Sequence, residues 1–234
     1  MYEHIPRRLA AIRDRIAAAA GRSGRRADDV RLIAVSKTHP VEAVLAAAAA
    51  GQLDFGENKV QEALQKISQA ADTRLRWHLI GHLQSNKAKK AGGGAFRFVH
   101  AIDSADLLQQ VDRAAGAAGA SLEVLVQVDL ALEATKFGAP VEALPGLFAA
   151  AEGCPSARLV GLMLLPPLVD DPEQARPWFQ RLRAVRDQLG ASGVPAGRLR
   201  ELSMGMSHDF EVAVEEGATM VRVGTAIFGA RHSP

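Results

Sequence analysis

Lys37 and Arg222 are the two side chains whose surroundings suggest chemistry most directly. Lys37 follows the apolar run Leu32-Ile33-Ala34-Val35 by two positions, so its stem starts from the end of a buried strand. A lysine there either snorkels to water or, where desolvated beside other cations, becomes an amine able to form a Schiff base. The chain carries 28 Lys and Arg, and only 7 of these are Lys, which makes a lysine inside an apolar segment conspicuous. Arg222 lies within the last apolar run, Met220-Val221-Arg222-Val223, followed by Gly224-Thr225 and a short helix from Ala226. Two such cations side by side are unfavourable unless an anion lies beside them. Free N–H groups at that helix start, with the Thr225 hydroxyl, make a phosphate cradle, and Ser207 adds a second hydroxyl. Ser207 reads equally well as the N-cap of a helix beginning near Asp209.

Other reactive residue types have plainer readings. His78 and His82 are four apart, but Gly81 interrupts them in a strand-like segment, so a helical zinc pair is not expected. Cys154, between Gly153 and Pro155, reads as structural. Gln84-Ser85-Asn86 reads as the cap of a helix near Lys87, with Lys87, Lys89 and Lys90 on a solvated face. Met204 and Met206 read as packing residues. Gly92-Gly93-Gly94 follows no strand and precedes no Lys-Ser/Thr pair, so it is not a phosphate loop.

Lys37 and Arg222 come together only if the first and last strands are neighbours. Eight strand-like runs occur, at Arg31–Val35, Leu53–Phe55, Trp77–Ile80, Phe98–Ile102, Leu122–Val128, Leu159–Leu164, Glu201–Ser203 and Met220–Val223. Helical segments lie between them, and a first helix from Ile5 to Ala20 precedes them, with Ile5, Leu9, Ile12 and Ile16 on one face. Strands alternating with helices pair in parallel. Eight such units predict an α/β protein, a single (β/α)₈ barrel preceded by an N-terminal helix, spanning residues 1–234 as one domain. A doubly wound sheet is the rival, but no Gly-rich turn follows the first strand. Closure of the barrel sets strand eight beside strand one and Arg222 near Lys37. The rim then carries Ser36-Lys37-Thr38, Gly56-Glu57-Asn58, Gly81-His82, Asp103-Ser104, Asp129 with Lys136, Met163 to Pro167, Met204 to Ser207 and Gly224-Thr225. A phosphate cradle beside an aldehyde-reactive lysine points to pyridoxal 5′-phosphate.

Composition sets the outer limits. With 234 residues and 48% apolar side chains, the chain can build a full core and is not a disordered segment. A net charge of +2 makes no case for nucleic acid or a membrane surface. One cysteine excludes an intrachain disulfide framework and suits a reducing compartment. No transmembrane run or signal-peptide core is visible, so the expected location is the cytoplasm.

Several segments, in order, resemble one family. They are AVSKTHP (34–40), FGENKVQE (55–62), WHLIGHLQSNK (77–87), VHAIDS (99–104), KFG (136–138), GLM (161–163), LSMGMSHD (202–209) and GATMVRVGTAIFG (217–229). The chain resembles the pyridoxal phosphate homeostasis proteins, barrels related to the N-terminal barrel of alanine racemase. The resemblance implies that Lys37 forms the internal aldimine with pyridoxal 5′-phosphate and that Arg222 faces the pyridine nitrogen. It implies phosphate-binding roles for Ser207, Gly224 and Thr225, and places Asn58 and Ser203 near the cofactor. Lys59 stands where an aromatic residue is common, and Ala218 where serine is common.

The function implied is control of intracellular vitamin B6 without enzymatic turnover, in a monomer whose partners are the cofactor and pyridoxal phosphate-dependent apo-enzymes. The alternative is an amino-acid racemase-like enzyme. A cationic arginine at the ring nitrogen weakens the electron sink that carbanion chemistry needs. A racemase also needs an acid/base on each face of the substrate, and the only tyrosine, Tyr2, lies far from any strand end. The expectation is a chain that carries the barrel alone, with no second domain to keep water from the reaction face.

Overall fold

In the computed structural model, which describes residues 2–131 and 137–230, eight parallel strands close into a barrel. The strands are β1 (Arg31–Val35), β2 (Asp54–Glu57), β3 (Arg76–Leu79), β4 (Phe98–Ile102), β5 (Leu122–Asp129), β6 (Ala157–Met163), β7 (Glu201–Met206) and β8 (Met220–Val223). Each pairs with the next, and β8 pairs with β1 in the register Ile33 with Arg222 and Ala34 with Val223. That last pairing brings the two cations of interest to the same sector. A two-residue bridge, Ala139–Pro140, adds to the end of β5.

The outer layer comprises α1 (His4–Arg22), α2 (Val41–Ala49), α3 (Val60–Ala70), α4 (Ala88–Ala91), α5 (Ala105–Ala117), α6 (Leu144–Ala150), α7 (Arg176–Ala191), α8 (Phe210–Glu215) and α9 (Thr225–Phe228). As its spacing predicts, α1 buries Ile5, Leu9, Ile12 and Ile16, and it packs on α2, α8 and α9. The strands are buried on both faces, which explains their near-continuous apolar runs. One core lies between strands and helices. A second, smaller one holds Ile33, Phe98, Leu125, Val160, Met163 and Met220, all strand residues that fill the barrel interior.

Three strands extend past their expected ends, β5 by the single residue Asp129. β2 continues through Gly56, whose added Cβ would lie 3.0 Å from Ile33 and 3.1 Å from Ile80, so glycine there relieves crowding rather than marking a turn. β7 continues through Met206 because Gly205, at φ +92°, sits where the pairing with β8 shifts register. Such a bulge re-aims the residues after it. The segment after Gln84 forms a 3₁₀ turn, Ser85–Lys87, before the four residues of α4, and the Gln84 side chain does not cap it.

Candidate functional site

A cavity of about 570 Å³ opens at the C-terminal ends of the strands, the end where barrels carry their functional groups. Its wall includes Lys37, Asn58, Ser207, Arg222, Gly224 and Thr225, six of the residues singled out from the sequence. Ser203 is not on that wall. It is fully buried behind Arg222, and its hydroxyl accepts a hydrogen bond from Arg222 Nη1 at 2.6 Å.

Lys37 sits half-buried in a tight turn after β1. Its neighbours are fixed by a buried charge cluster. Ser36 donates its hydroxyl to Glu57 Oε1 at 2.6 Å. Lys66, from α3, donates to the Ser36 carbonyl at 2.7 Å, to Glu57 Oε1 at 2.8 Å and to Glu62 Oε1 at 3.0 Å. Thr38 N–H donates to the same Glu62 oxygen at 2.7 Å, with its backbone at φ +66°. A left-handed threonine is costly, and these contacts on both sides of Lys37 hold it there. Burial pushes the Glu57 carboxyl upward in pKa, against the hydrogen bonds from Lys66 and Ser36.

Arg222 is buried in the cavity floor, and its Nη2 donates to the Leu164 carbonyl at 2.8 Å. Burial pushes its pKa down to about 10, and Asp209 opposes the shift. It stays a cation at neutral pH. Ser207 Oγ accepts from Gly224 N–H at 3.1 Å, which ties the β7 loop to the start of α9 and leaves the capping position of α8 to Asp209. A Cβ at Gly224 would lie 3.1 Å from the Val35 carbonyl oxygen, a tight fit that glycine relieves where this backbone passes β1. Asn58 is placed by Gly81, where a Cβ would lie 2.3 Å from the Asn58 carbonyl oxygen.

The cavity also includes residues that the sequence reading did not assign to ligand binding. His82 stacks on Phe137 with ring centroids 3.6 Å apart, and Gln127 donates to the Phe137 carbonyl. Met206 and His208 line the wall, Met206 because the bulge turns it there. His78 points away from His82, into the barrel interior, where it meets Asp54 and His100. Cys154 is buried, with its thiol directed at the Ala150 carbonyl. Lys136 lies outside the described residues. No helix among the described residues is long and apolar enough to cross a membrane.

Residues 8–232 match the family described as the alanine racemase N-terminal domain. The pyridoxal phosphate homeostasis protein of Aquifex aeolicus is 41% identical over 224 residues, covering 96% of this chain and 97% of the relative. PipY of Synechococcus elongatus, solved without and with pyridoxal phosphate bound, is 40% identical over 96% of this chain and all of PipY. The respective TM-scores are 0.86 and 0.82. Alanine racemase from Corynebacterium glutamicum shares the fold, with a TM-score of 0.71 at 17% identity, and the match covers 95% of this chain and 62% of the racemase.

Proposed function

We propose that this chain, which belongs to the alanine racemase N-terminal domain family and to its pyridoxal phosphate homeostasis members, binds pyridoxal 5′-phosphate covalently through Lys37 and holds it without turnover. The observation that carries the reading is the grouping of Lys37, Arg222 and the Ser207–Gly224 pair on one cavity wall. The fit is good on three counts. The volume suits a small ligand, the cations suit an anion, and the glycine backbone at 224 admits close approach. When bound, the cofactor supplies an aldehyde that condenses with a primary amine and releases water.

Each residue has a separate task. Lys37 Nζ is the amine. Ser207 and Thr225 offer hydroxyls, and the Thr225 and Ala226 N–H groups, which open α9 ahead of the Ile227 N–H bond to the Gly224 carbonyl, are available to the phosphate. Asn58 flanks the ring. Arg222 faces the ring nitrogen as a hydrogen-bond donor and, as a cation, disfavours a proton there. Ser203 acts through Arg222 rather than by contact with the ligand. The wall offers Lys37, His82 and His208 as groups able to move a proton and, among the described residues, no tyrosine, since Tyr2 packs against the main core. The partners in this reading are pyridoxal phosphate-dependent apo-enzymes that receive the cofactor from a cytoplasmic monomer.

Titration of the purified protein with pyridoxal 5′-phosphate, followed in the near-ultraviolet and violet, tests the reading. A saturable band that borohydride abolishes is expected for the wild type, and no such band for Lys37→Ala. A mutant with the full band overturns the assignment of Lys37.

A further inference from the structure

Through the barrel interior runs an unbroken line of polar contacts that ends on Arg222. Asp54, on β2, lies 3.0 Å from His78 Nε2 on β3. His78 Nδ1 lies 2.9 Å from His100 Nε2 on β4. His100 Nδ1 lies 2.9 Å from Ser203 Oγ on β7, which in turn accepts from Arg222 Nη1 on β8. Both imidazoles are fully buried, and His78 stacks on Phe98 at 4.5 Å with the rings nearly parallel. Five strands contribute one residue each.

The direction of every bond follows from the two ends. Asp54 is held ionised, since Arg76 forks onto both its oxygens at 2.8 and 2.5 Å. An ionised carboxylate only accepts, so His78 Nε2 carries its proton. Burial disfavours a second proton on either ring. His78 Nδ1 is therefore a lone pair, and His100 Nε2–H must donate to it. His100 Nδ1 is then a lone pair in its turn, which takes the Ser203 hydroxyl proton. Ser203 Oγ is left as the acceptor for Arg222. The opposite order would set a bare His78 Nε2 against a carboxylate oxygen.

We propose that His78, His100 and Ser203 are positioning residues that lock the Arg222 guanidinium in one orientation toward the cavity, with Asp54 fixing the direction of the whole line. It is an anchor and not a proton path. Moving one proton from Arg222 to Asp54 runs from a group at about 10 to one at about 2, a disadvantage of about eight pH units. Nearby cations reinforce the neutral state: Arg31, over Phe98 at 4.9 Å, acts on both histidines, Arg76 on His78 and Arg222 on His100. The inference rests on the pyridoxal phosphate reading only for what Arg222 faces.

Two measurements on the full chain test it. Long-range proton–nitrogen spectra of the ligand-free, ¹⁵N-labelled protein at pH 7.5 should show His78 and His100 both as the Nε2–H tautomer. An Nδ1–H tautomer or an imidazolium at either ring overturns the assigned direction. Titration with pyridoxal 5′-phosphate then compares wild type, His100→Phe, His100→Gln and Ser203→Ala. His100→Phe and Ser203→Ala should weaken binding at least tenfold and displace the bound band in the same direction. His100→Gln, which can still accept from Ser203 and donate to His78, should stay within threefold of wild type with its band unmoved. Unchanged affinity and band in both His100→Phe and Ser203→Ala overturn the positioning role. A wild type that binds no pyridoxal 5′-phosphate overturns the functional reading instead, and the tautomer result stands separately.

Discussion

Ser207 Oγ accepts a hydrogen bond from Gly224 N–H at 3.1 Å, and this one contact joins the loop after β7 to the short helix after β8. Both partners lie on the cavity wall, so the hydroxyl is placed before any ligand arrives. A phosphate oxygen bound there meets a preset donor, which lowers the ordering cost of binding.

Removal of that hydroxyl should therefore be felt mainly by the phosphate. Ser207→Ala and Thr225→Ala should each weaken pyridoxal 5′-phosphate binding by about 1.5–3 kcal/mol, the range for a hydrogen bond to a charged group. Their affinity for pyridoxal, which lacks the phosphate, should barely change. Parallel titrations with the two compounds provide the check, and equal losses for both argue against a phosphate cradle at this place.

The cluster under Lys37 makes a second prediction. Lys66→Met leaves Glu57 fully buried without its cation and should destabilise the fold by about 3–5 kcal/mol. Adding Glu57→Gln should recover a large part of that loss, because the uncompensated charge is gone. Urea unfolding of the two single variants and the double variant measures the coupling. Additive effects would show that Lys66 and Glu57 do not act as a pair.

Acid stability carries a signature of the interior histidines. Burial pushes His78 and His100 below the ordinary value of 6.5, so the folded chain binds fewer protons than the unfolded chain as pH falls through that value. Stability is then complete above about pH 6.5 and declines below it, by up to about 1.4 kcal/mol per pH unit for each ring. Asp54 adds a second, lower window. Burial raises its pKa, but the His78 and Arg76 hydrogen bonds outweigh this and hold it at about 2. Its contribution is present above the ordinary 3.8 and is lost as pH falls from there toward 2. Urea unfolding at pH 7.5, 6.5 and 5.5 should show the first decline, and His78→Gln with His100→Gln should flatten it. A wild-type profile level from 7.5 to 5.5 contradicts the neutral buried pair.

Turnover offers a fourth check. With a cation at the ring nitrogen, the loaded protein should exchange the α-hydrogen of L-alanine in deuterated water no faster than free cofactor does. Exchange near the ~10 s⁻¹ typical of enzymes favours the racemase alternative.

The barrel was legible in the sequence because eight apolar runs, each long enough for a strand, alternate with amphipathic helices. Lys37 and Arg222 were legible for a related reason. Each is a cation next to or within a run of apolar strand residues, Leu32–Val35 for Lys37 and Met220–Val223 for Arg222, and closure of the barrel brings the two runs side by side. Ser207 was ambiguous, since a serine before a helix reads as a cap until Gly224 is seen opposite it. Ser203 reads from the sequence as a polar position near the cofactor, and the structure adds that it is buried and that its hydroxyl accepts from Arg222. The histidine line was not legible at all. His78 and His100 look like isolated polar interruptions of apolar strands, and only the inter-strand register sets them against each other and against Asp54. Strand ends misled in two places, where Gly56 and Gly205 resemble turn residues yet serve a crowded interior and a bulge.

The central claim is covalent attachment of pyridoxal 5′-phosphate at Lys37, and peptide mass spectrometry tests it most directly. The protein is loaded, reduced with borohydride and digested. The account predicts a phosphopyridoxyl group on the peptide that contains Lys37 and on no other lysine. The same group found on Lys66, on Lys136 or spread over the surface lysines, with Lys37 unmodified, would contradict it.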